Sequence, residues 1–320
     1  MAEKTVKKIA TRDAYGQALL ELGSENENIV VLDADLSKST KTGLFAREFP
    51  HRFFNMGIAE QNLLGTAAGL SMVGKIPFAS TFAIFATGRA WEQIRNSICY
   101  PALNVKIAAT HAGVTVGEDG GSHQALEDIG VMRVLPNMTV LVPADATETK
   151  QVIRAAAAHE GPVYIRLGRS GVPVLFDEDY RFEIGKANVI RQGSDVAICA
   201  IGIMVSAALE AAERLAAEGI QARVINMASV KPIDEEVLIE AAEECGAIVT
   251  SEEHNILCGL GSAVAEVVSA HAPVPVIRHG INDHFGESGS ADELLREYGL
   301  TADGIIEAVK RALRLKENKR

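Results

Sequence analysis

Short apolar runs rich in β-branched residues alternate with helix-length amphipathic segments along nearly the whole chain, and this alternation restricts the fold more than any other feature. "NIVVLDAD", "KIPFAS", "NVKIAATH", "MTVLVPAD" and "PVYIRLG" read as strands buried on both faces, with helical patterns over 13–22, 59–73, 82–98 and 146–158. That order implies parallel strands joined by crossover helices. The pattern breaks over 169–195, a stretch of Pro, Gly and acidic residues. It then resumes with strands "DVAICAIG", "QARVINM", "AIVTSEE" and "PVPVIRHG" and helices over 204–218, 234–245, 261–271 and 301–315. The expected fold is α/β: two open, mostly parallel-sheet, three-layer domains over 1–175 and 194–320, with a linker over 176–193. A length of 320 residues suits two domains. Ligands of such sheets gather at the carboxyl ends of strands. "THAGVTVGEDGGSHQALED", residues 110–128, lies at one such end, as do Asp33, Asp35, Ser80, Thr81, Arg166 and Arg169.

A formal net charge of −11 argues against nucleic acid as a partner, because phosphate neutralisation needs a basic face. The basic runs "EKTVKK" and "KRALRLKENKR" read as solvated termini. Cysteines 99, 199, 245 and 258 are too far apart in sequence for a metal or redox pair and read as reduced thiols of a cytoplasmic protein. "MAEKTVKKIATRDAYG" lacks the apolar core of a secretory signal. The longest uncharged run, 196–209, is too short to span a bilayer and reads as a strand entering a helix, so no membrane is expected.

Several stretches carry potential chemistry. In "NMGIAEQNLLGTAAGLSMVG", Glu60 falls in the first turn of an apolar helix, where the dipole favours a carboxylate and dry surroundings suit proton exchange. A plain capping role is the alternative. In "ASTFAIFATGRAWEQIRNSI", Ser80 or Thr81 would cap a helix that puts Phe82 and Phe85 on one face, either as core or as a stacking surface for a flat ring. "GEDGGSH" supplies Glu118, Asp119 and His123 on a glycine-rich loop, with His111 just before it. Zinc is one reading, although no HExxH spacing or nearby cysteine supports it. A solvated turn is another, and a hydroxyl-rich substrate suits the group better. Arg12 and Arg169 either grip an anion or form surface ion pairs. "CGLGSAVAEVV" contains part of a dinucleotide fingerprint, Gly259 and Gly261, and reads as a tight turn with close helix packing. His254 and Asn255 in "EEHN" either touch a partner or cap a turn; the turn is the simpler reading.

Taken in order, "IATRDAYG", "DADLSKST", "NMGIAEQN", "STFAIF…AWEQIR", "THAGVTVGEDGGSHQ…LPNMTVLVPAD" and "IRLGRSGVP" resemble the C-terminal half of the transketolase family, across nearly all of the chain. The resemblance implies a pyrimidine-binding domain followed by the family's C-terminal domain, with thiamine diphosphate held at a subunit interface. Glu60 matches the glutamate that hydrogen-bonds the aminopyrimidine nitrogen and promotes loss of the thiazolium proton. Phe82 and Phe85 match positions that stack on the pyrimidine, and Asp35 an aspartate near the thiazolium. Asp119 and His123 match residues that contact sugar hydroxyls; Arg12, Ser39, His111 and Arg169 match the set that grips the sugar phosphate.

This sequence departs from the family in three places. Gly121 and Ser122 replace a common Pro-Thr before the loop histidine, and a pocket aromatic is missing around 86–88. The family's diphosphate signature, Gly-Asp-Gly with a spaced Asn, has no counterpart: neither 118–120 nor 302–304 has the required form. The chain begins with Met and reads as a whole product, so a split enzyme is expected. An N-terminal transketolase subunit would supply the diphosphate half and its Mg²⁺ (or Ca²⁺), in an α2β2 assembly. The expected reaction moves a two-carbon ketol unit from a ketose phosphate to an aldose phosphate. A deoxyxylulose phosphate synthase or 2-oxoacid dehydrogenase β-type enzyme, or a non-catalytic scaffold, are the alternatives.

Overall fold

The structure, a computed structural model, describes residues 7–318. The first half runs β1 (Lys8–Ala10), α1 (Thr11–Glu25), β2 (Ile29–Asp33), the short helices α2 (Ser37–Thr40) and α3 (Gly43–Glu48), β3 (Phe53–Asn55), α4 (Glu60–Met72) and β4 (Ile76–Phe82). It continues with α5 (Trp91–Gln93), β5 (Lys106–Thr110), α6 (Asp128–Arg133), β6 (Thr139–Leu141), α7 (Ala146–Ala158), β7 (Val163–Arg166) and β8 (Gly171–Pro173). The second half comprises β9 (Asn188–Arg191), β10 (Val196–Ala200), α8 (Met204–Ala217), β11 (Ala222–Asn226), β12 (Ser229–Lys231) and α9 (Glu235–Cys245). It ends with β13 (Ile248–Asn255), α10 (Leu260–His271), β14 (Val276–Ile281), α11 (Ala291–Glu297) and α12 (Ala302–Glu317).

Two large sheets form, as the alternation requires. The first has the order β12-β6-β7-β5-β4-β2-β3 and the second β14-β13-β10-β11-β9. Neighbours from β6 to β3 are parallel, as are β14, β13, β10 and β11, while β9 runs antiparallel at its edge. Every residue of β2, β5, β10 and β11 is buried, which explains their largely apolar make-up; the polar residues they carry, Asp33, Lys106, Thr110, Arg223 and Asn226, lie at or near strand ends. The halves interlock. Strand β12 leaves the second half and pairs antiparallel with β6 at the edge of the first sheet. A buried ion pair ties the halves further: Arg166 Nε donates to Asp128 at 2.8 Å, and Arg166 Nη2 donates to the carbonyl of Glu253 in β13 at 2.9 Å.

One expected element is wrong. Residues 82–98 do not form a single helix, and Ser80 and Thr81 cap nothing: both lie in β4, opposite Ala108 and Ala109 of β5. The β-favouring "STF" prolongs the strand. The segment beyond it is interrupted at Ala90, with φ −120° and ψ 19°, and winds as π-helical turns over Phe85–Arg89 and Ile94–Cys99. Gly261 packs closely, as its motif suggests: a Cβ there would lie 2.7 Å from Thr250 Oγ1. Asn255 caps a turn, its Oδ1 accepting from Leu257 N at 2.9 Å, whereas His254 is a buried member of β13. Cys99, Cys199 and Cys245 are buried and Cys258 is exposed. Among the described residues no helix is long and apolar enough to cross a membrane.

Candidate active site

The carboxyl ends of β2, β4, β5 and β7 deliver the polar groups to one edge of the first sheet. At the end of β2 the buried Asp33 organises the following loop. Its carboxylate accepts from Leu36 N at 2.6 Å, Thr40 Oγ1 at 2.6 Å and Thr42 Oγ1 at 2.8 Å, while burial raises its pKa. That loop presents Asp35 and Ser39. The Ser39 carbonyl accepts from Arg12 Nη1 at 2.9 Å, so it is the main chain of Ser39 that enters the cluster. Asp35, at φ 62°, stands apart, held by Asn55 Nδ2 at 2.9 Å.

Arg12 also reaches His111, with Nη1 3.2 Å from Nε2. Because a guanidinium can only donate, His111 Nε2 accepts, and the proton sits on Nδ1, which donates to Thr110 Oγ1 at 2.8 Å. Among the described residues Arg12 Nε is buried without a hydrogen-bond partner, which leaves one N–H donor spare. Burial, followed by the nearby Arg12 and Arg169 cations, pushes His111 down to about 3. In the purified protein His111 is therefore expected to stay a neutral imidazole from pH 8 to pH 5, read by NMR of its ring nitrogens; a midpoint near 6.5 would contradict the buried placement. The unfolded imidazole binds its proton more readily, so the stability linked to this group is present above about pH 6.5 and lost as pH falls towards about 3.

Aromatic rings continue the cluster. Phe82 stacks on His111 with centroids 3.8 Å apart and on Phe85 at 5.7 Å, and His123 meets the Phe85 ring edge-on at 5.4 Å. The Arg89 guanidinium lies over the Phe85 ring, 4.1 Å from its centroid, and its Nη1 donates to Glu60 at 2.9 Å. Glu60 is the first residue of α4 and only 5% exposed. One line of contacts thus runs from Glu60 through Arg89, Phe85 and Phe82 to His111, Arg12 and Ser39, with His123 at its side. Arg169 adds a third cation: it donates to the Val116 carbonyl and lies 3.5 Å from both Glu118 and Asp119. Among the described residues no three His, Cys, Asp or Glu side chains are grouped to hold a metal, and His111 Nε2 is already engaged by Arg12.

Sequence reasoning missed Arg89. It stands one helical turn beyond Phe85, and that spacing was the available signal for a cation over the ring. It also missed Glu253, whose contact with the loop over 113–124 comes from the other half of the chain.

The two open sheets define a two-domain α/β protein that gathers arginine, histidine and stacked aromatic side chains at the carboxyl edge of its first sheet. Residues 7–174 match the transketolase pyrimidine-binding domain and residues 185–305 the transketolase C-terminal domain. A Methanocaldococcus jannaschii protein described as a "putative transketolase C-terminal section" is 53% identical over 93% of this chain and 94% of its own length. A 6-deoxy-6-sulfo-D-fructose transketolase subunit of Clostridium sp. (strain MSTE9) is 44% identical over 93% of this chain and 92% of its own. A solved structure described as a split gene transketolase, inactive β4 tetramer, superposes with a TM-score of 0.90 at 64% identity, over 97% of this chain and 100% of that one. The chain belongs to the transketolase family and corresponds to that family's C-terminal half.

Proposed function

We propose that this chain is the C-terminal catalytic subunit of a two-chain transketolase, transferring a two-carbon ketol unit from a ketose phosphate to an aldose phosphate. The supporting observation is the shared occupant of Glu60 and Phe85. The guanidinium of Arg89 is flat, stacks on the Phe85 ring and donates to the buried Glu60 carboxylate. A nitrogen heterocycle such as the aminopyrimidine of thiamine diphosphate has those same requirements, so the residues present fit it. When bound, thiamine diphosphate supplies the carbon acid that cleaves and remakes a carbon–carbon bond beside a carbonyl.

In this reading Glu60 holds the proton at the pyrimidine nitrogen, and Phe82 and Phe85 wall the ring. Asp35 stands on the thiazolium side. His123 and Asp119 contact the sugar hydroxyls, and His123 moves protons at the reacting end. Arg12, Arg169, His111 and the Ser39 segment receive the sugar phosphate, with the spare Nε of Arg12 as one donor. The diphosphate and its Mg²⁺ (or Ca²⁺) fall to an N-terminal partner subunit in an α2β2 assembly. Support for that partner comes from relatives of matching length described as a C-terminal section and a subunit, and from a β4 tetramer described as inactive.

Titration calorimetry and a coupled ketol-transfer assay test this directly. The purified chain alone is expected neither to bind thiamine diphosphate tightly nor to transfer ketol groups, and to do both once mixed with the N-terminal subunit and Mg²⁺. Full activity of the chain alone, or an inert mixture, would remove the proposal.

A further inference from the structure

The C-terminal domain contributes nothing to the line of contacts from Glu60 to Ser39, yet it holds the loop that carries Asp119 and His123. Glu253 in β13 is buried, and its Oε1 accepts the Thr115 backbone N–H at 2.7 Å, reaching from the second sheet into the turn just after β5. Gly113 lies against that carboxylate. A Cβ at 113 would overlap the carboxyl atoms of Glu253, and φ +82° independently favours glycine there. Farther along, Gln124 Nε2 donates to the Val114 carbonyl at 3.1 Å and to the Glu287 carbonyl at 2.9 Å. Gly120 sits against Ser288 and Gly121 against the Gly286 carbonyl, while α11 packs on the 114–119 turn. Glycines at 113, 117 and 120 all have positive φ, so the loop has little stiffness of its own. Burial raises the Glu253 pKa, and the neighbouring Arg166 opposes that rise.

We propose that Glu253 is a positioning residue: from the C-terminal domain it fixes the backbone of residues 114–119 and so sets where Asp119 and His123 meet the substrate hydroxyls. This rests on the sugar-binding reading of that loop given above. Without Glu253 the buried Thr115 N–H has no acceptor, and the glycine-rich segment is free to shift. Displacement of contact groups by about 1 Å is enough to cost up to roughly 100-fold in turnover.

The test compares Glu253→Ala with Glu253→Gln, whose amide oxygen still accepts from Thr115, first by hydrogen exchange on the isolated subunit. In Glu253→Ala the 114–119 amides should exchange at least about tenfold faster, the loss expected for one charge-assisted hydrogen bond. In the reconstituted complex the same variant should raise KM for both sugar phosphates and lower kcat/KM by about 10- to 100-fold at unchanged thiamine diphosphate affinity. Glu253→Gln should restore both readouts. Glu253→Asp, which keeps the charge beside Arg166 but is one methylene too short to hold the Thr115 N–H, should give the same rise in KM and serves if Glu253→Ala does not fold. Wild-type exchange rates, an unchanged KM, or cofactor affinity falling in step with kcat/KM would each overturn the assignment. An inactive wild-type complex would instead strike the functional reading, while the exchange measurement still decides whether Glu253 holds the loop.

Discussion

Glu60→Gln in the reconstituted complex is expected to lower kcat by about 10²–10⁴-fold, the range of a lost proton-transfer group. Glutamine has the shape of glutamate and keeps an oxygen for Arg89 at the site of the 2.9 Å contact. What it lacks is an oxygen able to share a proton with a ring nitrogen. The structural cost is small by comparison. The carboxylate opens α4, where its interaction with the helix dipole contributes about 0.3–1 kcal/mol. Its partner Arg89 has a side chain 52% exposed, so solvent screens the pair. Melting of the isolated variant should therefore stay close to wild type while turnover collapses. Normal turnover by the variant would show that this carboxyl handles no proton.

Asp128→Ala should have the reverse profile, damaging stability first. Asp128 is fully buried, and its Oδ2 accepts from Arg166 Nε at 2.8 Å and from the Tyr164 hydroxyl at 2.7 Å. Removing it takes from the buried Arg166 guanidinium the carboxylate it is directly hydrogen-bonded to, a loss of about 3–5 kcal/mol for a broken buried pair. Arg166 also donates to the carbonyls of Ala125 and Glu253, so the damage reaches the contact between the halves. A denaturant midpoint well below wild type is the expected reading. Replacing both partners with apolar residues of similar volume, as in Asp128→Leu with Arg166→Met, should recover much of the loss. A shift under about 1 kcal/mol for the single variant would mean that water reaches the pair.

The sequence exposed those parts of the fold whose causes are local. Strands β2 and β10 are covered on both faces, which leaves apolar runs broken only by Asp33 at the end of β2. Helix α7 occupies the expected residues because Asp145 caps it, accepting from Glu148 N at 2.8 Å. The strand–helix junction at 80–90 was misread because "STF" satisfies a strand and a cap equally well until its neighbour, β5, is known. Three-residue strands such as β3, β8 and β12 carry no periodicity to detect, and the pairing of β12 depends on a partner far away in the chain. The candidate site divides in the same way. Arg12, Ser39, His111, Phe82, Phe85 and His123 stand in motifs and do converge, although Ser39 does so through its carbonyl. Arg89 and Glu253 gain their meaning only from residues that folding brings to them.

The exchange of β12 between the halves bears on how such a chain could be divided. Severed near residue 175, the N-terminal fragment would display β6 as a bare sheet border, with unsatisfied amides and carbonyls open to illicit pairing and clumping. Fragment libraries or fusions that treat the two modules as interchangeable blocks should therefore carry residues 229–231 along with the first, or graft a substitute strand in their place.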